Sequence, residues 1–328
     1  MTHHASSSTK TPVPTPEALL FDKYEEVSLL SGGVPMTLSL WKHGNNAPSL
    51  IFYPGTMASP LIYRELLHRL REYGFNVFGI HHLSHGKSPK IKKTFTFQDL
   101  LQNGFDAVSY ALERFAGRIV LAGHSQGGIL SLAQAGQDAR VSVVFPFCFL
   151  LTHRPEAINV TRLKRFAPQR ERLLSFLTRA AAALPRFPVI IPMYLDLKRI
   201  FAGNYGFSVE NGLRHTRLAY PLAYVSSLFS ANLAHLTQPG NIRCRVLGMV
   251  SRDDALFTPQ LMEDMLQQIK APHKELIVMP GGGHMAPLSL QGAAEYAAVV
   301  HERCAVLGLF SPSSTSQCGE TPWTTSPA

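Results

Sequence analysis

Cysteine is scarce in this sequence, with 4 residues in a chain of 328. So few cysteines exclude a disulfide-stapled fold, and the lack of any CxxC pair argues against a zinc knuckle or a redox dithiol. The 24 glycines and 23 prolines follow no period, which excludes collagen, and no heptad repeat predicts a coiled coil. We therefore expect a globular protein of a reducing compartment and predict a cytoplasmic location. The cysteines are Cys148, Cys244, Cys304 and Cys318.

Long apolar runs are missing as well. A membrane-spanning helix needs about 20 consecutive apolar residues, and the best candidate, residues 187–200, contains Pro188, Pro192 and Asp196. The start of the chain lacks the basic residues and the apolar run of a secretory signal peptide. Residues 1–20 and 309–328 are rich in serine, threonine and proline, so we predict a flexible leader and a disordered tail.

Short apolar runs separated by amphipathic stretches predict an α/β fold. The runs suit strands buried on both faces, and the stretches between them place apolar residues at helical spacing. Their alternation predicts a mostly parallel sheet joined by right-handed crossovers. Residues 24–41, which come first, predict a β-hairpin that turns at Gly32 and Gly33. The predicted parallel strands are 50–53, 76–80, 119–122, 141–145, 245–250 and 275–279.

The alternation stops near residue 150 and resumes near residue 245. This interruption predicts an insertion, residues 151–240, in a core formed by residues 21–150 and 241–308. The insertion carries 12 Lys and Arg against 4 Asp and Glu, a balance of +8 in a chain whose net charge is +9. The positive charge therefore belongs mainly to one segment. Because no nucleic-acid-binding motif accompanies it, we expect no nucleic acid partner.

Residues 123–128, with the sequence GHSQGG, directly follow a predicted strand and precede a predicted helix. In a G-x-S-x-G turn the serine takes a strained backbone conformation, and glycines such as Gly123 and Gly127 avoid collision with neighbouring backbone. The turn presents the serine hydroxyl at the rim of the sheet, where a histidine from another strand end can deprotonate it. We predict that Ser125 is a nucleophile; the alternative is a structural glycine-rich turn.

The chain resembles the α/β-hydrolase superfamily, and more closely its serine hydrolases of the monoacylglycerol lipase and lysophospholipase type, which include serine aminopeptidase-like members. The resemblance covers about residues 25–308. Besides the serine turn, it rests on residues 81–88, which are similar to the family's D-x-x-G-H-G-x-S loop, and on segments 251–259 and 281–284. It implies an α/β-hydrolase fold, with a mostly parallel sheet flanked by helices. It also implies that the insertion is a helical lid between strands 6 and 7.

The resemblance further implies the partners of Ser125. The family order is nucleophile, acid, histidine. His284, which follows three glycines after the last predicted strand, is the expected general base. Asp254 is the expected acid that orients its imidazole, and Asp253 is the alternative, because a shift of one residue in the loop would exchange them.

An oxyanion hole is expected from two backbone N–H groups, those of Thr56 and Gln126. Met57 is an alternative to Thr56. The family commonly has H-G-x at this loop, and Pro54 stands here in place of the histidine. Since the donor is main chain, this departure is compatible with activity.

Three histidines lie close together in the 81–88 loop, at positions 81, 82 and 85. Imidazoles at this spacing can ligate zinc, but no carboxylate lies in the same loop, and the matching family loop is structural. We therefore predict no metal site, and the expected chemistry requires no organic cofactor.

The insertion combines apolar and basic residues at helical spacing over residues 162–179, with an interruption at Pro168. Such a surface suits anionic lipid headgroups, so we predict peripheral contact with an anionic membrane surface. Residues 187–201 are apolar enough to line an acyl-chain pocket. The alternative is that the apolar side only covers the sheet and the arginines are solvated.

The predicted function is hydrolysis of a carboxylic ester, that of a lipid such as a monoacylglycerol or a lysophospholipid, through an acyl-enzyme on Ser125. A thioesterase, a peptidase and a C–C bond hydrolase use the same triad and remain alternatives. A catalytically silent, hydrolase-like binding protein is an alternative of a different class. The sequence leaves the oligomeric state open.

Overall fold

A computed structural model describes residues 23–202 and 216–310, in which the chain forms ten strands and eight α-helices. The strands are β1 (Glu25–Ser31), β2 (Val34–Trp41), β3 (Ser49–Tyr53), β4 (Asn76–His81), β5 (Ile119–His124), β6 (Val141–Phe147), β7 (Pro188–Ile190), β8 (Ala219–Pro221), β9 (Arg245–Ser251) and β10 (His273–Met279). The helices are α1 (Arg64–Glu72), α2 (Phe97–Arg114), α3 (Gln126–Ala135), α4 (Arg170–Ala183), α5 (Leu197–Ile200), α6 (Leu222–Phe229), α7 (Pro259–Gln268) and α8 (Leu290–Val306).

Eight strands form one sheet in the order β1-β2-β4-β3-β5-β6-β9-β10. Strand β2 is antiparallel to both of its neighbours, and every other pair is parallel. The predicted hairpin is confirmed: Gly32 and Gly33 have φ values of 55° and 79°, the positive angles that a two-residue turn between twisted strands needs. The predicted mostly parallel α/β sheet is likewise confirmed.

Two apolar cores cover the two faces of the sheet, as expected for strands without a polar side. Ile51 of β3 belongs to one core, together with buried residues of α2, α3 and α7. Its neighbours Leu50 and Phe52 belong to the other core, with buried residues of α1 and α8. The period-two alternation of a strand thus divides these apolar side chains between the two helical layers.

The insertion leaves the sheet after β6 and returns at β9, the sixth and seventh strands of this sheet along the chain. Its described part contains α4, α5 and α6. The predicted interruption at Pro168 lies inside a 3-10 helix, Arg162–Gln169, which directly precedes α4. It also contains the antiparallel pair β7–β8, which the prediction of a helical segment omits. Each of these strands has three residues, too few to show a strand pattern in the sequence.

The core extends slightly beyond its predicted end. Leu309 is buried, and Phe310 packs edge-on against Phe75 with 5.0 Å between ring centroids. The predicted leader, residues 1–20, and residues 311–328 of the predicted tail lie outside the described residues. Among the described helices, none combines the length and the apolar composition needed to cross a membrane.

Candidate active site

Ser125 lies alone between the end of β5 and the start of α3. Its backbone angles, φ 57° and ψ −116°, are outside the common regions for an L-residue, which confirms the predicted strain. A Cβ on Gly123 would collide with the backbone of Gly127, and a Cβ on Gly127 would collide with the carbonyl of Tyr53. Glycine at both positions is therefore a steric requirement of this turn. The side chain of Ser125 remains partly exposed.

His284 and Asp254 form a buried pair. Nδ1 of His284 lies 2.9 Å from Oδ2 of Asp254. Because a carboxylate accepts hydrogen bonds, Nδ1 carries the proton and Nε2 is the basic nitrogen. His284 and Ser125 line the same cavity. The structure thus brings the three predicted residues together beyond the carboxyl ends of β5, β9 and β10.

Both oxygens of the Asp254 carboxylate accept hydrogen bonds. Oδ1 accepts the N–H groups of Leu256 at 2.7 Å and Phe257 at 2.8 Å, and Oδ2 also accepts the thiol of Cys148 at 3.3 Å. Burial alone would raise the pKa of Asp254, but the hydrogen bond and charge of His284 and the two backbone N–H groups outweigh burial and lower the pKa. The carboxylate therefore stays ionised and can stabilise a protonated His284.

Asp253, the alternative acid, binds backbone instead of an imidazole. Its carboxylate accepts the N–H of Gly283 at 2.8 Å and that of Gly282 at 3.4 Å. These glycines have φ values of 58° and 102°, so the carboxylate holds a tight turn directly before His284. The geometry thus favours Asp254 as the partner of the imidazole and gives Asp253 a role in the loop.

Two aromatic rings pack against the imidazole of His284. Phe257 stacks on it with 5.1 Å between centroids and 10° between ring planes, and His124 lies at 4.7 Å in a tilted arrangement. Contacts of this kind restrict rotation of a side chain about its χ angles. Together with Asp254 they define one orientation of the ring.

The two predicted oxyanion residues lie next to each other. The Thr56 hydroxyl donates to Oε1 of the Gln126 side chain at 3.0 Å. Within the described part of the chain, the backbone N–H groups of both residues have no acceptor. By contrast, the N–H of Met57 donates to the hydroxyl of Tyr220 at 2.8 Å. Met57 is therefore engaged elsewhere, and Thr56 keeps the N–H that an oxyanion would need.

Two apolar cavities share Ser125. The first is lined by His284, and the second is lined by Gln126. Leu195 and Ile200 of the insertion line both. Considering described residues only, neither cavity is lined by a Lys, Arg, Asp or Glu side chain. Other residues of the first cavity are Ile62, Leu197, Phe201, Met285 and Leu288; the second has Ile129, Leu150, Leu228, Phe229 and Leu256.

One group of described residues, His124, Cys148 and His284, brings possible metal-ligating atoms within 4.8 Å of one another. Its donors are otherwise engaged. Burial, and then the nearby Asp254, raise the pKa of Cys148 well above its usual value, so the thiol stays protonated, whereas a metal needs the thiolate. The Nδ1 of His284 is bonded to Asp254, and both ring nitrogens of His124 have partners. We assign no metal to this group.

The histidines of the 81–88 loop are buried and have separate hydrogen-bond partners. His81 contacts the hydroxyl of Ser39 at 2.9 Å, His82 contacts Oδ1 of Asn103 at 3.2 Å, and His85 contacts the hydroxyl of Tyr220 at 2.8 Å. Their ring nitrogens point to different neighbours, and the arrangement fits a loop that supports the wall of the site.

The family of the chain is defined by its match, over residues 43–299, to the model of the Alpha/beta hydrolase family. The chain belongs to this family. A putative non-heme haloperoxidase of Mycobacterium phage D29 is 31% identical over 106 residues, which cover 32% of this chain and 36% of that protein. The matching region thus spans about a third of that relative's length.

Solved structures share the fold at low sequence identity. A monoacylglycerol lipase of Paleococcus ferrophilus has a TM-score of 0.62 and 16% identity, with 81% of this chain and 98% of that chain covered. A soluble variant of monoglyceride lipase from Saccharomyces cerevisiae, in complex with a substrate analogue, has a TM-score of 0.61 and 17% identity, with 85% and 94% covered. Similarity at this level supports the fold and not a substrate.

Sequence reasoning did not find three side chains that touch the site: Tyr63, Cys148 and Tyr220. Cys148 follows β6 with a φ of 60° and donates to the predicted acid. Tyr63, which follows Gly55 by 8 positions, and Tyr220, which follows Met57 by 163, contact the loop of Thr56. A lone cysteine or tyrosine carries no motif, so these roles are visible only after folding.

Proposed function

We propose that the protein hydrolyses a neutral carboxylic ester, that of a lipid such as a monoacylglycerol, through an acyl-enzyme on Ser125. The observation that carries this proposal is the strained turn that presents Ser125 to the same cavity as the buried His284–Asp254 pair. A nucleophile, a base and a group that orients the base are the three parts that acyl transfer requires.

In the proposed reaction, Ser125 Oγ attacks the ester carbonyl carbon while Nε2 of His284 takes its proton. The carbonyl oxygen becomes an oxyanion, which accepts hydrogen bonds from the backbone N–H groups of Thr56 and Gln126. The C–O bond to the alcohol then breaks, and His284 returns the proton to the leaving oxygen. Water, deprotonated by His284, attacks the acyl-enzyme in the same way and releases the acid and Ser125.

The two cavities suit the two halves of an ester. The leaving oxygen has to lie beside His284, which protonates it, and only the first cavity is lined by this residue in the described structure. We therefore assign the alcohol to the first cavity and the acyl chain to the second. The lack of charged side chains among their described lining residues favours a neutral alcohol over the charged head group of a lysophospholipid.

We also propose that the insertion rests on an anionic membrane surface. Seven large apolar side chains of its described part are at least 41% exposed, and apolar groups in such numbers on one segment suit a lipid interface. Phe201, one of the seven, also lines the first cavity, so the apolar surface adjoins the site. The other six are Phe176, Leu184, Phe187, Ile190, Met193 and Leu218, and exposed basic residues lie among them, including Arg172, Arg179, Arg186 and Lys198.

Vesicle cosedimentation tests the membrane proposal. Wild type is expected to bind phosphatidylserine-containing vesicles more than pure phosphatidylcholine vesicles. The double variant Phe187→Ser, Ile190→Ser is expected to lose most of this binding, whereas Leu30→Ser, which changes a residue 66% exposed outside the insertion, is expected to keep it. Equal binding of both vesicle types, or full binding by the double variant, would contradict the proposal.

Hydrolysis of p-nitrophenyl esters from acetate to palmitate tests the proposed reaction. We expect wild type to prefer medium or long acyl chains and Ser125→Ala to fold normally without activity. Activity retained by Ser125→Ala would refute the acyl-enzyme. A folded wild type that cleaves none of these esters would refute ester hydrolysis and favour a thioester, an amide or a C–C bond as the substrate.

A further inference from the structure

We propose that the buried hydroxyls of Tyr63 and Tyr220 are positioning groups that clamp the loop of Thr56 from both sides and thereby aim its N–H at the oxyanion. The catalytic consequence of this clamp rests on the proposed ester hydrolysis, whereas the clamp itself is a property of the fold.

The two hydroxyls bind the residues that flank Thr56. The N–H of Gly55 donates to the Tyr63 hydroxyl at 3.2 Å, and the N–H of Met57 donates to the Tyr220 hydroxyl at 2.8 Å. Thr56 lies between these two anchored amides, and its own N–H has no acceptor in the described part of the chain. Fixing both neighbouring amides restricts the direction of the one between them, because peptide units are planar.

Each tyrosine is in turn held by a histidine. The Tyr63 hydroxyl lies 2.7 Å from Nδ1 of His124, and the Tyr220 hydroxyl lies 2.8 Å from Nε2 of His85. The other nitrogen of each ring contacts a backbone carbonyl, that of His284 at 2.9 Å for His124 and that of Leu83 at 2.8 Å for His85. A carbonyl only accepts, so these nitrogens carry the protons.

The protonation of the two histidines fixes the direction of every bond in the clamp. Burial lowers the pKa of His124 to about 3, with the nearby His284 adding to the effect. Burial, followed by the nearby His82, lowers the pKa of His85 to about 3 as well. Each ring is therefore neutral near pH 7 and offers one acceptor nitrogen, to which the tyrosine donates. The tyrosine oxygen is then the acceptor for the loop N–H.

The loop needs such support because its backbone is strained. Met57 has a φ of 62°, a left-handed conformation that is unfavourable for a residue with a side chain. The Tyr220 hydroxyl accepts a hydrogen bond from the N–H of Met57, and the N–H of Arg217 donates to the Met57 carbonyl at 2.9 Å. Strained residues persist where surrounding contacts over-determine them. Residues 217–220 of the insertion therefore hold both backbone polar groups of Met57 and couple the insertion to the oxyanion loop.

The His124 branch reaches the other half of the site. Its bond to the His284 carbonyl joins the loop of Thr56, through Tyr63, to the loop that carries the predicted base. The donor of the oxyanion hole and the base thus share one hydrogen-bonded support. Misplacement of reacting groups by about 1 Å can cost a factor of about 100 in rate.

The variants Tyr63→Phe and Tyr220→Phe remove only the hydroxyls, and Tyr224→Phe is the matched control. Tyr224 is equally buried, and its hydroxyl has no partner among the described residues. We expect each clamp variant to lower kcat about 10- to 100-fold with KM changed by less than about twofold, because an oxyanion donor acts mainly in the transition state. The control is expected to stay within about twofold of wild type.

Two further readouts do not depend on the substrate. The rate at which a fluorophosphonate labels Ser125 is expected to fall in both clamp variants, since its phosphoryl oxygen needs the same donors. Hydrogen exchange of the segment 55–57 is expected to become faster. Exchange and labelling rates equal to those of Tyr224→Phe would overturn the clamp. If wild type cleaves no ester but the two clamp variants still show slower labelling and faster exchange than wild type, only the ester assignment is refuted.

Discussion

Nδ1 of His284 lies 2.9 Å from Oδ2 of Asp254, while the adjacent carboxylate of Asp253 holds the turn before the histidine. Replacing Asp254 by Asn is therefore expected to lower kcat by about 10³- to 10⁴-fold, because the amide cannot stabilise a protonated imidazole. Asp253→Asn retains an oxygen acceptor for the turn and is expected to lose about tenfold at most. Steady-state kinetics on one p-nitrophenyl ester measure both. A larger loss for Asp253→Asn would reverse the assignment.

The serine turn gives a prediction about stability. The Cβ of Gly123→Ala would collide with backbone, which cannot move aside as a flexible side chain can. We expect the variant to lose about 3 kcal/mol or more of its free energy of unfolding. Gly44→Ala is the control, because a Cβ there meets no atom within 4 Å; its change should stay within about 0.5 kcal/mol. Urea unfolding measures both, and equal stabilities would mean that the turn is looser than the structure shows.

Three buried histidines predict that stability falls in mild acid. Burial lowers the pKa of His82 to about 4 and is the largest cause of the pKa values of about 3 at His85 and His124. In the unfolded chain a histidine has a pKa of about 6.5. Between about pH 6.5 and 4 the unfolded state therefore binds more protons, so the free energy of unfolding decreases as the pH falls.

Urea unfolding at several pH values between 7.5 and 4.5 measures this dependence. Each group contributes at most about 1.4 kcal/mol per pH unit, and the full contribution is present above pH 6.5. His82→Gln is expected to reduce the slope of the free energy of unfolding against pH by the amount that corresponds to about one bound proton. His43→Gln, at an exposed position, serves as the control and is expected to leave this slope unchanged. A free energy of unfolding that stays constant over this range would show that these rings are not buried and neutral.

Bulky substitutions in the two cavities test which cavity holds the acyl chain and which holds the alcohol. Leu228 lines only the second cavity and Leu288 only the first. We expect Leu228→Trp to shift the preference towards shorter acyl chains without changing the preference for the alcohol, and Leu288→Trp to do the reverse. Esters in which each half is lengthened independently measure the two preferences by kcat/KM. If Leu228→Trp changes only the alcohol preference, the orientation of the substrate is the opposite one.

The fold and the serine turn could be predicted because their signals are local. Apolar runs alone define buried strands, and the glycines on either side of Ser125 are fixed by collisions within a few residues. The choice between Asp254 and Asp253 could not be made with equal force, because a shift of one residue in a loop leaves the sequence pattern unchanged. Only the direction of each carboxylate distinguishes them.

The clamp was beyond sequence reasoning for a different physical reason. Tyr63 and His124 are 61 positions apart, and Met57 and Tyr220 are 163 apart, so their contacts depend on how distant elements pack. A tyrosine in a short 3-10 helix and another in a three-residue strand show no pattern of their own. The strand pair β7–β8, which carries Tyr220, was also missed because it is so short.

The central claim is that Ser125 is the nucleophile of this site, and labelling with a fluorophosphonate followed by peptide mapping tests it most directly. We predict one adduct, on Ser125, and a loss of ester hydrolysis in proportion to the labelled fraction. Ser125→Ala should take up no label. An adduct on another residue, or hydrolysis that persists in fully labelled protein, would contradict the account.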